Sequence, residues 1–167
     1  MNNRNRIIFL DEENTKLSPI TAALFRQKLE AAGIIDVEVC SRGNVVLFPE
    51  PVNQKVERIS ESCGLDLSEY SAVQLEEKDL TPETLVLAMD VSSKGMVYEK
   101  FTNAANIYTL KEFIGSSGDL KLPLGGTLED YATIIEIISG LLDLLIEKLY
   151  PAKEPETVPG SEGAEVS

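Results

Sequence analysis

Histidine is absent from the 167 residues. That excludes every histidine-based triad, proton relay and zinc site. Cysteine occurs only at Cys40 and Cys63. Two cysteines do not suggest a disulfide framework, and they suit free thiols in a reducing compartment. Both read as small buried hydrophobes. Positive charge is scarce: 15 Lys and Arg stand against 28 Asp and Glu, a net −13. Nucleic acid and anionic membranes both need a basic footprint, so neither is expected as a partner. Long apolar runs are missing too, and none approaches the ~20 residues of a membrane span. The run Ile7, Ile8, Phe9, Leu10 is too short for a signal-peptide core, and the expectation is a cytoplasmic protein.

What is present is enough for one domain. Hydrophobic residues make up 43% of the chain, which suits a folded core. Residues 7–10 read as a buried parallel strand. The polar stretch 11–17 follows, and then Ser18 and Pro19 read as N-cap and first helical residue. Ala22, Phe25, Leu29 and Ala32 share one helical face, and Gly33 is placed to end it. Val37 and Val39 alternate as a second strand. A second helix starts near Pro51, carries Val52, Val56, Ile59 and Cys63 on one face, and stops at Gly64. Residues 84–89 form a third strand, and a helix through Met96, Val97 and Phe101 follows. Residues 105–110 form a fourth strand. The last helix is lined by Tyr131, Ile134, Ile135, Ile138, Leu142, Leu145 and Leu149. The expected organisation is a folded domain over 1–150 and a disordered acidic tail over 151–167.

This alternation implies an α/β fold: a four-stranded parallel sheet with helices on both faces. Ligands of such sheets bind beyond the carboxyl ends of strands, near a switch point. The 11–17 turn therefore falls where a site is expected.

Here the residues resemble a known family. Low-molecular-weight protein-tyrosine phosphatases begin with a strand, then C-x-G-N-x-C-R-S-P, then a helix. This chain has Ile7 to Leu10, then Asp11, Glu12, Glu13, Asn14, Thr15, Lys16, Leu17, Ser18 and Pro19. Cys40 to Gly43 resembles the family's S-A-G turn, and Thr84 to Asp90 its D-L-V-L-A-M-D strand. Residues 108–113 and 125–131 resemble later segments. The bacterial branch, with its protein-arginine phosphatases, is most similar, and the resemblance implies a phosphotyrosine protein phosphatase I-like fold.

The resemblance also marks departures. Asp11 stands where the family's nucleophilic cysteine would be, Leu17 at its phosphate-clamping arginine, and Leu122 at its general-acid aspartate. Lys16 replaces the second loop cysteine and Glu13 the loop glycine. From these positions the expectation is a catalytically inactive homologue that binds a partner protein, with Leu17, Leu122 and Leu124 making its cleft apolar. Phosphate binding is not expected, because Asp11, Glu12 and Glu13 bring negative charge to the loop. Asp11 or Glu13 is expected to fill the loop's anion position instead. No cofactor or metal is expected; Asp11 and Glu13, with Glu12, are the residues that would hold a divalent cation. The segment from Asp11 to Thr15 also resembles the D-x-D-x-T motif of haloacid-dehalogenase-type phosphatases, with Glu13 at the second acid. The alternative reading is therefore altered phosphatase chemistry led by Asp11, with or without a metal.

Overall fold

A computed structural model describes residues 5–152. The expected tail lies, beyond Ala152, outside the described residues. Four strands form one parallel sheet in the order β2-β1-β3-β4: β1 Arg6–Asp11, β2 Glu38–Gly43, β3 Thr84–Ala88 and β4 Ile107–Thr109. Five helices connect or follow them: α1 Leu17–Ala31, α2 Gln54–Ser62, α3 Val91–Lys100, the short α4 Leu110–Phe113 and α5 Leu128–Leu149.

The central strands are apolar on both faces because both faces are covered. Ile7 and Phe9 of β1, with Leu85 and Leu87 of β3, join a core completed by α1, α2 and α5. Ile8 and Leu10, with Val86 and Ala88, point the other way, onto Val97 of α3 and onto Leu75, Leu80 and Ile107. Phe9 meets Phe25 of α1 edge-on, with ring centroids 5.6 Å apart. Burying such a side chain contributes roughly 1.5–3 kcal/mol.

Helix starts are set by side-chain caps. Asn53 accepts from the Lys55 N–H ahead of α2, and Asp90 from the Ser93 N–H ahead of α3. Thr109 with Glu112, and Thr127 with Asp130, form reciprocal capping boxes for α4 and α5. Helix α1 departs from expectation. It begins at Leu17, and its N-cap is Lys16, whose own side chain makes no capping hydrogen bond. Ser18 lies inside the first turn because its hydroxyl is drawn to Asp11, and Pro19 fits there because early helical N–H groups lack partners anyway. Other limits shift slightly. Ala32 is exposed, Val37 lies just outside β2, and α2 starts three residues beyond Pro51, behind its Asn53 cap. Cys40 to Gly43 continues β2 and is not a turn.

At the far edge of β2, Asp79 is buried between two cations. Arg6 Nη1 lies 3.2 Å and Arg42 Nε 3.5 Å from its carboxylate. The same carboxylate accepts the Glu76 N–H, closing a single 3-10 turn, Glu77–Asp79. Removing one partner of a buried pair leaves uncompensated charge. Asp79→Ala is therefore expected to cost about 3–5 kcal/mol in urea unfolding; a cost below 1 kcal/mol would show that Glu38, 3.4 Å from Arg6 Nε, suffices.

Candidate active site

Strand β1 leads through α1 to β2 on one side and its neighbour β3 leads through α3 to β4 on the other, so the connections from these two carboxyl ends diverge. The loop between β1 and α1 opens at that switch point into a cavity of about 330 Å³. Asp11 to Leu17 line one side, Asn44 the end of β2, Met89, Asp90, Ser92, Ser93 and Met96 the β3–α3 corner, and Leu120 to Leu122 the rim. Leu17 and Leu122 thus reach the cavity as expected. Leu124 does not: it is fully exposed and lies off the lining.

Asp11 folds into the loop. Its Oδ1 accepts the Asn14 N–H at 2.8 Å and the Ser18 hydroxyl at 2.7 Å, and its Oδ2 accepts the Ser18 N–H at 2.9 Å. Of the two carboxylates expected in the anion position, Asp11 is turned into the loop, where it takes the N–H groups of Asn14 and Ser18, while Glu13, like Glu12, is exposed. Burial pushes the Asp11 carboxyl above the ordinary carboxylate range. The three hydrogen bonds oppose that shift, and the charge of Asp90 adds to it. The N–H groups of Thr15, Lys16 and Leu17 have no acceptor among the described residues. Those of Lys16 and Leu17 belong to the start of α1, where N–H groups lack helical partners, and all three residues line the cavity.

Asn14, fully buried, is the loop's hub. Its Nδ2 donates to Ser18 Oγ at 2.8 Å, and its Oδ1 accepts the Val73 N–H at 2.8 Å and the Tyr70 hydroxyl. With that proton committed to Asn14, the Tyr70 oxygen receives the Ser41 hydroxyl at 2.8 Å. Burial of Tyr70 pushes its hydroxyl pKa up to about 12, so it remains a donor. The left-handed residue of the loop is Asn14, with φ 61°. Asparagine tolerates that conformation, and Glu13, at the family's glycine position, does not adopt it. Gly43 lets β2 approach: a Cβ there would sit 2.9 Å from Asn14 Cβ and 3.0 Å from the Glu12 carbonyl oxygen.

The residues named as able to hold a cation do not converge. Asp11 is held inside the loop while Glu12 and Glu13 face solvent. Among the described residues no three acidic or cysteine side chains are placed to share an ion. Cys40 and Cys63 are free and half-buried, and burial raises the Cys40 thiol. Tyr131 belongs to the first turn of α5 and is buried there, away from the cavity lining. Asn44, Asp90 and Tyr70 were not picked out as site residues from sequence. Asp90 stood at the end of a matched segment, but nothing nearby in sequence links Asn44 or Tyr70 to the loop.

The cavity lies at the carboxyl ends of the central strands of a four-stranded parallel α/β sheet, where folds of this class hold their ligand sites. A sequence model described as low molecular weight phosphotyrosine protein phosphatase matches residues 6–154, and the chain belongs to that family. It is 34% identical over 146 residues to the protein-arginine-phosphatase of Geobacillus stearothermophilus, covering 86% of this chain and 95% of the relative. It is similar in structure to the low molecular weight protein tyrosine phosphatase of T. tengcongensis, with TM-score 0.79, 36% identity, and coverage of 86% and 98% of the two chains. It is also similar to a cysteine-to-serine form of YwlE arginine phosphatase with a phosphorylated active-site serine, with TM-score 0.81, 28% identity, and coverage of 89% and 97%.

These findings correct the expectation of an inactive, partner-binding homologue. The matched relatives are named as phosphatases, and the family match runs through the whole sheet, so the comparisons point to phosphatase function. Among the described residues, no helix is long and apolar enough to cross a membrane.

Proposed function

We propose that this protein is a phosphatase for protein-borne phosphoryl groups in which Asp11 is the nucleophile. The observation that carries this reading is the setting of Asp11. A carboxylate stands at the head of the loop, and three of its four lone-pair sites are used within the protein, leaving one on Oδ2. The free amides of Thr15, Lys16 and Leu17 supply donors for the phosphoryl oxygens. The phosphorylated serine of the YwlE form supports an oxygen atom as phosphoryl acceptor in this architecture.

In the first step Oδ2 attacks phosphorus in line. The bond from phosphorus to the leaving group breaks, and the leaving group takes a proton from solvent. In the second step water hydrolyses the acyl phosphate, releasing inorganic phosphate and restoring the carboxylate. Leu122 offers no proton, and a positioned acid is worth about 10²–10⁴ in rate. Substrates whose leaving group departs unprotonated are therefore favoured. Nearby acids oppose a phosphate dianion, each by ~4 kcal/mol per unit of phosphate charge at 4 Å and an effective dielectric near 20; Lys16 and Lys121 on the lining offset part of this.

The test is trapping. Native protein is mixed with a radiolabelled aryl phosphate carrying an acidic phenol, then quenched in acid. The expected result is one phosphoryl group per chain, released by hydroxylamine as an acyl phosphate is, and absent from Asp11→Asn. Turnover without such an adduct, or label retained by the variant, would sink the assignment.

A further inference from the structure

The rim of the cavity is fastened at two ends. Residues 120–126 lie between α4 and α5, and Lys121 and Leu122 reach the cavity lining on the way. The first end is built into the sheet side. Leu120 is buried and its N–H donates to the Met89 carbonyl at 2.9 Å, while Asp119 Oδ1 accepts the Val91 N–H at 2.9 Å. The second end is Gly126, buried, whose N–H closes a turn onto the Pro123 carbonyl at 3.0 Å. Beyond that turn and an ion pair from Lys121 to Asp119, residues 121–125 make no hydrogen bond or ion pair among the described residues. What ties Gly126 to the body is Lys55. Its ammonium donates to the Gly126 carbonyl and lies 5.7 Å from the centroid of the Tyr131 ring, within cation–π reach. The side chain is half-buried, and among the described residues no carboxylate pairs with it. Lys55 stands in the first turn of α2, and Gly126 immediately precedes the N-cap of α5. The dipoles of both helices oppose a cation at their starts, so helix stability favours another residue type at position 55. The same turn of α2 is tied to the site loop. The Asn53 N–H donates to the Thr15 carbonyl at 2.8 Å, and Asn53 Oδ1 accepts the Lys55 N–H at 2.9 Å. Lys55 thus joins the loop that carries Asp11 to the rim of the cavity.

We propose that Lys55 is a positioning residue of this site: through the Gly126 carbonyl it holds residues 121–126 in the place where Leu122 packs on a bound substrate. Lys55 is not part of the cavity lining and acts only through the rim. A rim set free loses a contact that a substrate makes equally before and during phosphoryl transfer, so KM rises while kcat holds. The effect on turnover rests on the phosphatase reading, whereas the tie to the rim does not.

The test compares the native whole chain with Lys55→Met, which keeps the stem and loses the donor, and Lys55→Arg, which keeps a donor and the charge. Amide relaxation by NMR reads the backbone of Lys121, Leu122, Leu124, Gly125 and Gly126. Order parameters are expected near ~0.85 in native protein and Lys55→Arg, and below about 0.6 in Lys55→Met. KM for an aryl phosphate is expected to rise about fivefold or more in Lys55→Met with kcat within about twofold of native, and to return towards native in Lys55→Arg. Equal order in native protein and Lys55→Met overturns the tie. A looser rim with an unchanged KM, or a loss confined to kcat, overturns the positioning role. The two readings fail separately. A rim loosened only in Lys55→Met, in a protein whose native form turns nothing over, removes the phosphatase reading and leaves the tie.

Discussion

Asp11→Asn is expected to slow aryl phosphate turnover by about 10³-fold or more, as removal of a nucleophile does. The amide keeps one oxygen for the Asn14 N–H and the Ser18 hydroxyl, but its nitrogen then opposes the Ser18 N–H where Oδ2 accepted it. Folding is expected to survive, so the result is read on a folded protein, with circular dichroism as the check. Activity of native protein needs the ionised carboxylate. Since burial raises Asp11, the acid limb of kcat/KM is expected above the ordinary carboxylate value of about 4. Stability runs the opposite way. A carboxyl raised on folding binds its proton more tightly in the folded state, so its favourable contribution is present at low pH. It is lost as pH rises through the folded value. Native urea midpoints should fall over that window, and those of Asp11→Asn should not. Equal turnover by the two proteins would remove Asp11 from the chemistry.

Asn14→Ala is expected to cost about 3 kcal/mol in urea unfolding. The Val73 N–H loses its acceptor, Ser18 Oγ loses a donor, and the Tyr70 hydroxyl must turn elsewhere. Alanine must also hold φ 61°, which adds about 1–2 kcal/mol. Asn14→Gly removes the same hydrogen bonds without that strain, so it should be the milder variant by about 1 kcal/mol. If glycine and alanine cost the same, the left-handed backbone is not where the difference lies. If both cost under 1 kcal/mol, the loop does not depend on its buried amide.

The frame was legible in sequence because its signals are local. Apolar runs such as Ile7 to Leu10 mark strands buried on both faces, and Gly33 and Gly64, at φ 70° and 75°, mark helix ends. The order of elements then allowed few topologies. The cavity was half legible. Its first wall is the contiguous stretch from Asp11 to Leu17, but its second comes from Asn44, Asp90 and Ser93, which only the sheet register brings near. Ser18 shows why a cap was misread. Its type suits an N-cap, yet a carboxylate seven residues back is a stronger acceptor for its hydroxyl and N–H. The functional error had a different cause. Asp11, Leu17 and Leu122 depart from the family's motif at single positions, whereas the family match that points to phosphatase function runs over residues 6–154.

The chain of contacts from Ser41 through Tyr70, Asn14 and Ser18 to Asp11 has one more consequence. Every hydroxyl in it can pass a proton along, but the Asn14 carboxamide cannot: it receives through oxygen and gives through nitrogen, with no shared hydrogen. The amide therefore acts as an insulator in what would otherwise be a wire from β2 to the carboxylate. The protein side polarises Asp11 without being able to protonate it, so protons reach and leave the carboxylate only across the open mouth of the cavity.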